Sequence, residues 1–468
     1  MHLRRILVLV ALAAVVVAAA TVADYPGSVD ITWQGWEIDT SVGVLIAAMV
    51  IMALVMWLLF ALVARLVRLP GRFRRNRRER RRRNGEIALT RGMIALAAGD
   101  AASAQRHAGR AEALLARSPL TLLLAAQAAQ LAGDEAAARG RYTALLDEKD
   151  GEFLALRGLI GQALKAGDSE EALRLSRRAI GLRPNAQWVF ETLFALEIEA
   201  GRWEAARDVL DGGARRRLLP AARAAHHRGV ILHELSLAAE TAGERRRAVS
   251  LAASAAAAAP DLVPAAARHA RLLIAEDKRR AARRAVERAW SRAPHPELAR
   301  VWAELGGGAP ALELVTWFEK LAAHNPDAAE SHLAVAEAAL AAQLWGEARR
   351  HLGLAMKAAG PDGPSRRLCL LWARLEEGEH PQSGGAREWF DRALAAPPDP
   401  AYLCSRCGGE SREWEALCPH CRGFDTLAWR TVTTAPVVAV AGLAAPSFAA
   451  SPLLPTLNRL ASAGQSDR

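Results

Sequence analysis

One spacing limits how this chain can fold more than any other feature. Gly99-Asp100, Gly133-Asp134, Gly167-Asp168 and Gly201-Arg202 recur every 34 residues without a gap. Small or acidic residues and then alanines follow, as in Glu135-Ala136-Ala137, Glu170-Glu171-Ala172 and Trp203-Glu204-Ala205-Ala206. The glycine ends one helix and lets the chain turn. The alanines let the next helix pack close against the first. From about Asn84 to Ala396 strong helix formers dominate and β-branched residues are sparse, so each period reads as two helices and a turn. One such unit cannot bury its own apolar face, and neighbours must bury it jointly.

A helix–turn–helix period of 34 residues is the tetratricopeptide spacing. Ser118-Pro119 and Arg183-Pro184-Asn185 mark the passage between units, where proline is tolerated in a first helical turn. A longer insert follows Asp211, and the pattern returns at Gly243 and Asp277. Weaker units run through Trp290–Gly308 and Asn325–Gly360, punctuated by Pro294, Pro326 and Pro361. The expected product is an all-α solenoid of seven to nine helical pairs over residues 84–396, with a concave surface suited to proteins or peptides. Trp188, Trp203, Trp290, Trp302, Trp317, Trp345, Trp372 and Trp389 are read as fillers of helix-pair cores. His226, His227 and His233 lie in the insert without a tidy ligand spacing, and His324 and His332 are separated by Asn325-Pro326. All five are read as structural or solvated. No phosphate loop or dinucleotide fingerprint occurs, and Gly306-Gly307-Gly308 reads as a linker, so no enzyme is expected.

The N-terminal part points to a membrane. Apolar runs occupy Ile6–Val22 and Val42–Val63, the second of 22 residues, enough to cross a bilayer core. Arg65 to Arg83 follow, with 11 arginines and one glutamate, so this stretch carries +10 of the chain's net +11. Arginines beside a span favour the cytoplasmic side, and Ala23–Ser41 holds four acids and no basic residue. The expectation is a transmembrane hairpin over residues 1–64. It has an outer loop bearing Trp33 and Trp36, an arginine-rich juxtamembrane segment at 65–83 on anionic lipids, and a cytoplasmic solenoid. Thr21-Val22-Ala23 also resembles a signal cleavage site; cleavage leaves the same orientation.

The strongest local chemistry is YLCSRCGGESREWEALCPHCRGFDTLAW. Cys404 and Cys407 form one C-x2-C pair, Cys418 and Cys421 a second, ten residues apart. Four thiolates suit one tetrahedral ion, so residues 400–430 read as a metal ribbon holding structural zinc, with rubredoxin-like iron and haem or redox use as alternatives. Disulfides are disfavoured in the cytoplasm. Gly408-Gly409 and Gly423 suit tight metal knuckles, Ser411–Leu417 is expected as a strand hairpin, and His420 is expected to point away from the ion. Cys369 reads as buried. The ribbon is expected to cap the solenoid, dock on the repeats or bind a partner. Between Cys404 and Cys421 lie two arginines and three glutamates, a balance that argues against nucleic acid. Residues 431–468, rich in Ala, Pro, Val and Thr, read as a disordered tail.

The stretches GSVDITWQGWEIDTSVGV, the following span and arginine block, and RGMIALAAGDAASAQRHAGRAEALL resemble the HemY family of bacterial inner-membrane repeat proteins. The C-terminal ribbon resembles that of the LapB family, whose members have a single anchor. The HemY resemblance implies a non-catalytic inner-membrane scaffold linked to haem and porphyrin biosynthesis, with late haem-pathway enzymes as partners. It implies no flavin oxidase activity, since the glycine fingerprint is missing. The LapB resemblance implies the alternative, an adaptor that brings an envelope-biosynthesis enzyme to a membrane protease.

Overall fold

The computed structural model describes residues 27–33, 36–115, 118–360 and 363–431. They divide into two compact units, Met1–Ala138 and Arg139–Arg468. The first unit opens with an antiparallel strand pair, β1 (Ser28–Trp33) and β2 (Trp36–Ser41), registered Ser28 to Ser41 and Trp33 to Trp36. One helix follows, α1, Val42–Ala97, of 56 residues, about 84 Å at 1.5 Å per residue. Span, arginine-rich stretch and first repeat helix are therefore one continuous element. Its backbone stays helical through Pro70 and Gly71.

The apolar part of α1, Val42–Val63, has a mean hydropathy of 2.9 and none of it is buried by protein. Trp57 and Phe60 stand fully outward on it, as a lipid-facing surface requires. A transmembrane hairpin is not met among the described residues: one helix is long and apolar enough to cross a membrane. The run Ile6–Val22 lies outside the described residues, as do residues 432–468.

The last turns of α1 already belong to the repeats. Ala88 and Ala95 are buried against α2 (Ala101–Leu114) and α3 (Pro119–Leu131), where Ala104, Ala108, Leu124 and Ala128 share a core with Ala95. Gly92 permits this approach, because a Cβ there would sit 2.6 Å from Leu124.

The helix α4, Glu135–Leu146, runs across the boundary between the units. Seven helical pairs follow in the second unit. They are α5 (Glu152–Lys165) with α6 (Ser169–Leu182), α7 (Gln187–Glu199) with α8 (Trp203–Arg215), and α9 (Ala221–Thr241) with α10 (Arg245–Ala258). Then come α11 (Val263–Ala275) with α12 (Arg279–Trp290) and α13 (Pro296–Gly306) with α14 (Ala311–Ala322). The last two are α15 (Ala329–Ala341) with α16 (Trp345–Ala358) and α17 (Arg366–Glu379) with α18 (Gly385–Ala395).

The recurring glycine sits where each first helix must end. Gly99, Gly133, Gly167, Gly201 and Gly243 all adopt left-handed backbone, φ +67° to +82°, the conformation glycine accepts without a Cβ clash. The next amide then closes the preceding helix, as Asp134 N–H does on the Ala129 carbonyl at 3.0 Å. The aspartate side chain starts the following helix. Asp100, Asp134 and Asp168 accept from the backbone N–H three residues on, at 2.9, 2.9 and 3.0 Å. Asp168→Ala should therefore cost about 1 kcal/mol, readable as a lower urea midpoint; an unchanged midpoint would show that the cap is dispensable.

Trp290 and Trp302 are wholly buried, and the other six repeat tryptophans are half-buried. The triple glycine is a tight reversal between α13 and α14, with Gly307 and Gly308 at φ +55° and +79°.

Candidate metal centre

The ribbon is a three-stranded sheet in the order β4-β3-β5, from β3 (Ala401–Cys404), β4 (Glu410–Ser411) and β5 (Leu427–Arg430). Its central strand ends on Cys404, the first cysteine of the first pair, and its last strand follows the second pair. The strand hairpin expected at Ser411–Leu417 does not form: only Ser411 is in a strand, paired with Tyr402. The partner of Leu417 is Phe424, across the second knuckle.

The two cysteine pairs make matching loops. Gly408 N–H bonds the Cys404 carbonyl and Arg422 N–H the Cys418 carbonyl, both at 2.9 Å. Cys404 N–H bonds Gly409 and Cys418 N–H bonds Gly423, again at 2.9 Å. A Cβ on Gly409 would meet His420 at 2.5 Å and the Cys407 sulfur at 3.3 Å, which is why a glycine stands there. His420 turns its Nε2 to the Glu410 carbonyl, 3.1 Å away, and is exposed.

These loops bring Cys404, Cys407, Cys418 and Cys421 together with all four sulfurs within 4.8 Å of one another. Cys404 to Cys421 is 3.7 Å and Cys407 to Cys418 is 3.8 Å. Four sulfurs about 2.3 Å from a central ion have tetrahedral edges of about 3.8 Å, so the set is spaced for chelation. It is far too open for disulfides. Amides of Arg406 and Cys407 point at the Cys404 sulfur from 3.4 and 3.5 Å, and the Thr426 hydroxyl lies 3.2 Å from it. Burial raises the Cys404 pKa, but these donors outweigh it and bring the thiol down to about 6. Cys407 goes the other way. The Gly409 amide favours its thiolate, yet burial and the neighbouring sulfurs push it up to about 12. Four thiolates cannot share this space without a cation among them. Cys369, the fifth cysteine, is buried in α17.

The ribbon docks on the repeats, and the insert after Asp211 is its seat. Gly201 to Gly243 spans 42 residues, eight more than the period. The excess lengthens α9 to 21 residues, against 13 in α7, about two extra helical turns. His226 and His227 stand on that extension. Asp425, four residues past Cys421, reaches between them, with carboxylate oxygens 3.3 Å from His226 Nε2 and 3.5 Å from His227 Nε2. His226 Nδ1 meets Asp261 at 3.3 Å.

Aromatic contacts complete the seat. Phe424 packs edge-on against Phe194 and His227, and Trp414 against His233. Trp429 lies 4.3 Å from His295, which also caps α13 by accepting from Glu297 N–H. Ala416, Trp414, Leu417 and Phe424 thus share one core with Phe190, Val230 and Leu235. Each of α7, α9, α11 and α13 is the first helix of its pair, so the ribbon sits on the first-helix face.

His226, His227 and His233 are therefore docking residues of the ribbon; the one legible signal is the eight-residue break in the period. Burial pushes His233 and His295 down to about 4, so both stay neutral at physiological pH. His226 is different: the hydrogen bond to Asp425 raises it to about 9. Its folded value exceeds its ordinary 6.5, so its contribution is complete below about 6.5 and lost as pH rises through about 9. Trp414 emission should report loosening of the dock over that window. His226→Asn should abolish the transition, and a flat wild-type response would contradict the ion pair.

His324 and His332 are not brought together. His332 Nδ1 instead faces His351 Nδ1 at 3.2 Å. Glu319, Glu347 and His351 converge nearby, but the Arg350 guanidinium lies among them, bonded to Glu347 and 3.8 Å from Glu319. That cluster is an ion-pair knot.

The family described as HemY protein N-terminus matches over residues 27–133. The probable magnetosome protein Mms48 of Magnetospirillum gryphiswaldense is 30% identical over 430 residues, 92% of this chain and 94% of that protein. Among solved structures, Naa15/Naa10 bound to HypK-THB is similar at 13% identity, over 67% of this chain and 58% of that one, with a TM-score of 0.37. The TPR2AB-domain:pHSP90 complex of yeast Sti1 is similar at 13% identity, over 66% and 98%, with a TM-score of 0.28. MamA is similar at 15% identity, over 35% and 91%, with a TM-score of 0.23. With identity of that extent along nearly the whole of both chains, this protein belongs to the family of the probable magnetosome protein Mms48, and its residues 27–133 form a HemY-type N-terminal domain.

Proposed function

We propose that this protein is a non-enzymatic scaffold held in the bacterial inner membrane by Val42–Val63, with repeats and ribbon on the cytoplasmic side. The positive charge of the arginine-rich stretch just past the span favours anionic lipid headgroups on that side. Partner proteins are captured on the first-helix face. A zinc ion bound by Cys404, Cys407, Cys418 and Cys421 holds the ribbon in shape on that face. The observation that carries this reading is the ribbon's seat, a folded module on the surface that repeat proteins use for capture. On α5 Arg157 is exposed and lies over the Trp188 ring. Anchoring supplies effective concentration at the membrane without chemistry of its own.

The HemY-type domain supports a link to haem and porphyrin biosynthesis, with late pathway enzymes as partners. The kinship with Mms48 favours a second reading, a scaffold for magnetosome proteins. Both are tested by depleting the protein, measuring haem and porphyrin intermediates, and photo-crosslinking from position 157. A fall in haem with one intermediate accumulating, and capture of the enzyme that consumes it, is the expected result. Unchanged porphyrins with capture of magnetosome proteins would favour the second reading. Unchanged porphyrins with capture of a membrane protease or an envelope-biosynthesis enzyme would replace both with the adaptor role.

A further inference from the structure

The arginines of the second helices are not distributed as ordinary ion pairs. On α6 all three are matched: Arg174 with Glu171, Arg177 with Glu197 and Arg178 with Glu152. On α10 and α12 the pattern breaks. Residues 279–292 hold six arginines and one glutamate, a net of +5. Arg283 takes that glutamate, Glu287, and Arg279 donates to the Leu305 carbonyl. Arg280, Arg284, Arg288 and Arg292 are exposed and have no acidic partner among the described residues, and the same holds for Arg245 and Arg246 at the start of α10.

Four of them, Arg246, Arg280, Arg284 and Arg288, stand at matching helical positions. Arg280, Arg284 and Arg288 are spaced i, i+4, i+8, so they line one side of α12. The opposite side is buried through Ala282, Ala285, Val286 and Ala289. Arg246 and Arg280 are 34 residues apart, hence equivalent positions near the starts of second helices in neighbouring repeats. Like charges at i, i+4 cost a helix a little stability, and an anionic surface laid against them turns that repulsion into attraction.

We propose that this arginine face of α10 and α12 docks on the anionic lipid headgroups of the membrane in which the chain is anchored. The inference rests on the membrane-anchor reading above. Tethering by α1 keeps the bilayer surface at high effective concentration, and guanidinium groups pair bidentately with lipid phosphates. The second-helix face would then lie toward the bilayer, leaving the first-helix face and its ribbon open to partners.

Arginine footprinting with phenylglyoxal tests this on the full chain, reconstituted in nanodiscs of phosphatidylcholine alone or mixed with phosphatidylglycerol. Arg280, Arg284 and Arg288 should react several-fold more slowly in the anionic discs, with the difference lost at high salt. Arg174 and Arg178 should react alike in both. Joint Arg280→Glu, Arg284→Glu and Arg288→Glu should also remove the protection of Arg246. Equal reactivity in both embedded samples would overturn the docking and leave the anchor standing. Protection in neutral discs by added RNA but not by anionic lipid would overturn it in favour of a nucleic-acid surface. A chain recovered free of both discs would overturn the anchor and the docking together.

Discussion

Cys404→Ser should strip the metal from the full-length protein and unfold its C-terminal module, the largest effect expected of any single substitution here. The ribbon's own core is small, formed by Tyr402, Leu427 and the buried cysteines themselves. Three strands of four, two and four residues cannot stand alone on that burial. Structural zinc in such sites contributes about 10–16 kcal/mol of apparent binding free energy, and that energy is folding energy. Removing one of four thiolates leaves an incomplete tetrahedron and a hydroxyl that binds zinc poorly. Metal analysis should fall from one ion per chain to none, and trypsin should cut at Arg406, Arg412 and Arg422. The seat on α7 and α9 should become exposed at the same time, since Phe194 and His227 lose Phe424 as their cover. An unchanged metal content with an intact ribbon would refute the four-thiolate site. Iron in place of zinc would keep the geometry and change the ion.

The second large effect is expected at Trp302. Its ring stacks on Trp317 with centroids 4.5 Å apart, and the two residues exchange hydrogen bonds. Trp302 Nε1–H donates to the Trp317 carbonyl at 3.0 Å, and Trp317 Nε1–H donates to the Trp302 carbonyl at 2.9 Å. Arg283 lies over both rings. Trp302 is wholly buried at the joint of α13 and α14, where the three glycines supply no side chains. Trp302→Ala should therefore cost about 3–5 kcal/mol from the cavity and lost packing, and it removes the indole bond to the Trp317 carbonyl. Repeat arrays couple mainly to nearest neighbours, so hydrogen exchange should quicken in α13 to α15 and little in α5. Trp302→Phe should cost less, because the stack survives in part. Uniform loosening along the array would contradict nearest-neighbour coupling.

Local chemistry made much of this legible in the sequence. The period of 34, the membrane-length run at Val42–Val63 and the paired cysteines each follow from short-range requirements. A left-handed glycine ends a helix, an apolar stretch of sufficient length spans a bilayer, and C-x2-C places two thiolates on one knuckle. Asp100, Asp134 and Asp168 carry more information than their spacing alone, since each caps the next helix. That role could have been read from capping preferences.

The ribbon's strands are not legible locally because β3 pairs with β5 at separations of 23 to 29 residues, beyond any local propensity. The N-terminal segments were read as separate, yet helix propagation adds a bond per residue and carries α1 from the span into the first repeat. The place of the ribbon was decided only by the tertiary structure. His226, His227, His233 and His295 lie far from Tyr402, Trp414, Phe424, Asp425 and Trp429 in sequence, and nothing in either segment names the other. The repeat units are written in the chain locally, because each is set by neighbours within a few turns. Which face the metal module covers depended on burial and charge pairing between segments nearly 200 residues apart, and those terms exist only once the repeats have stacked.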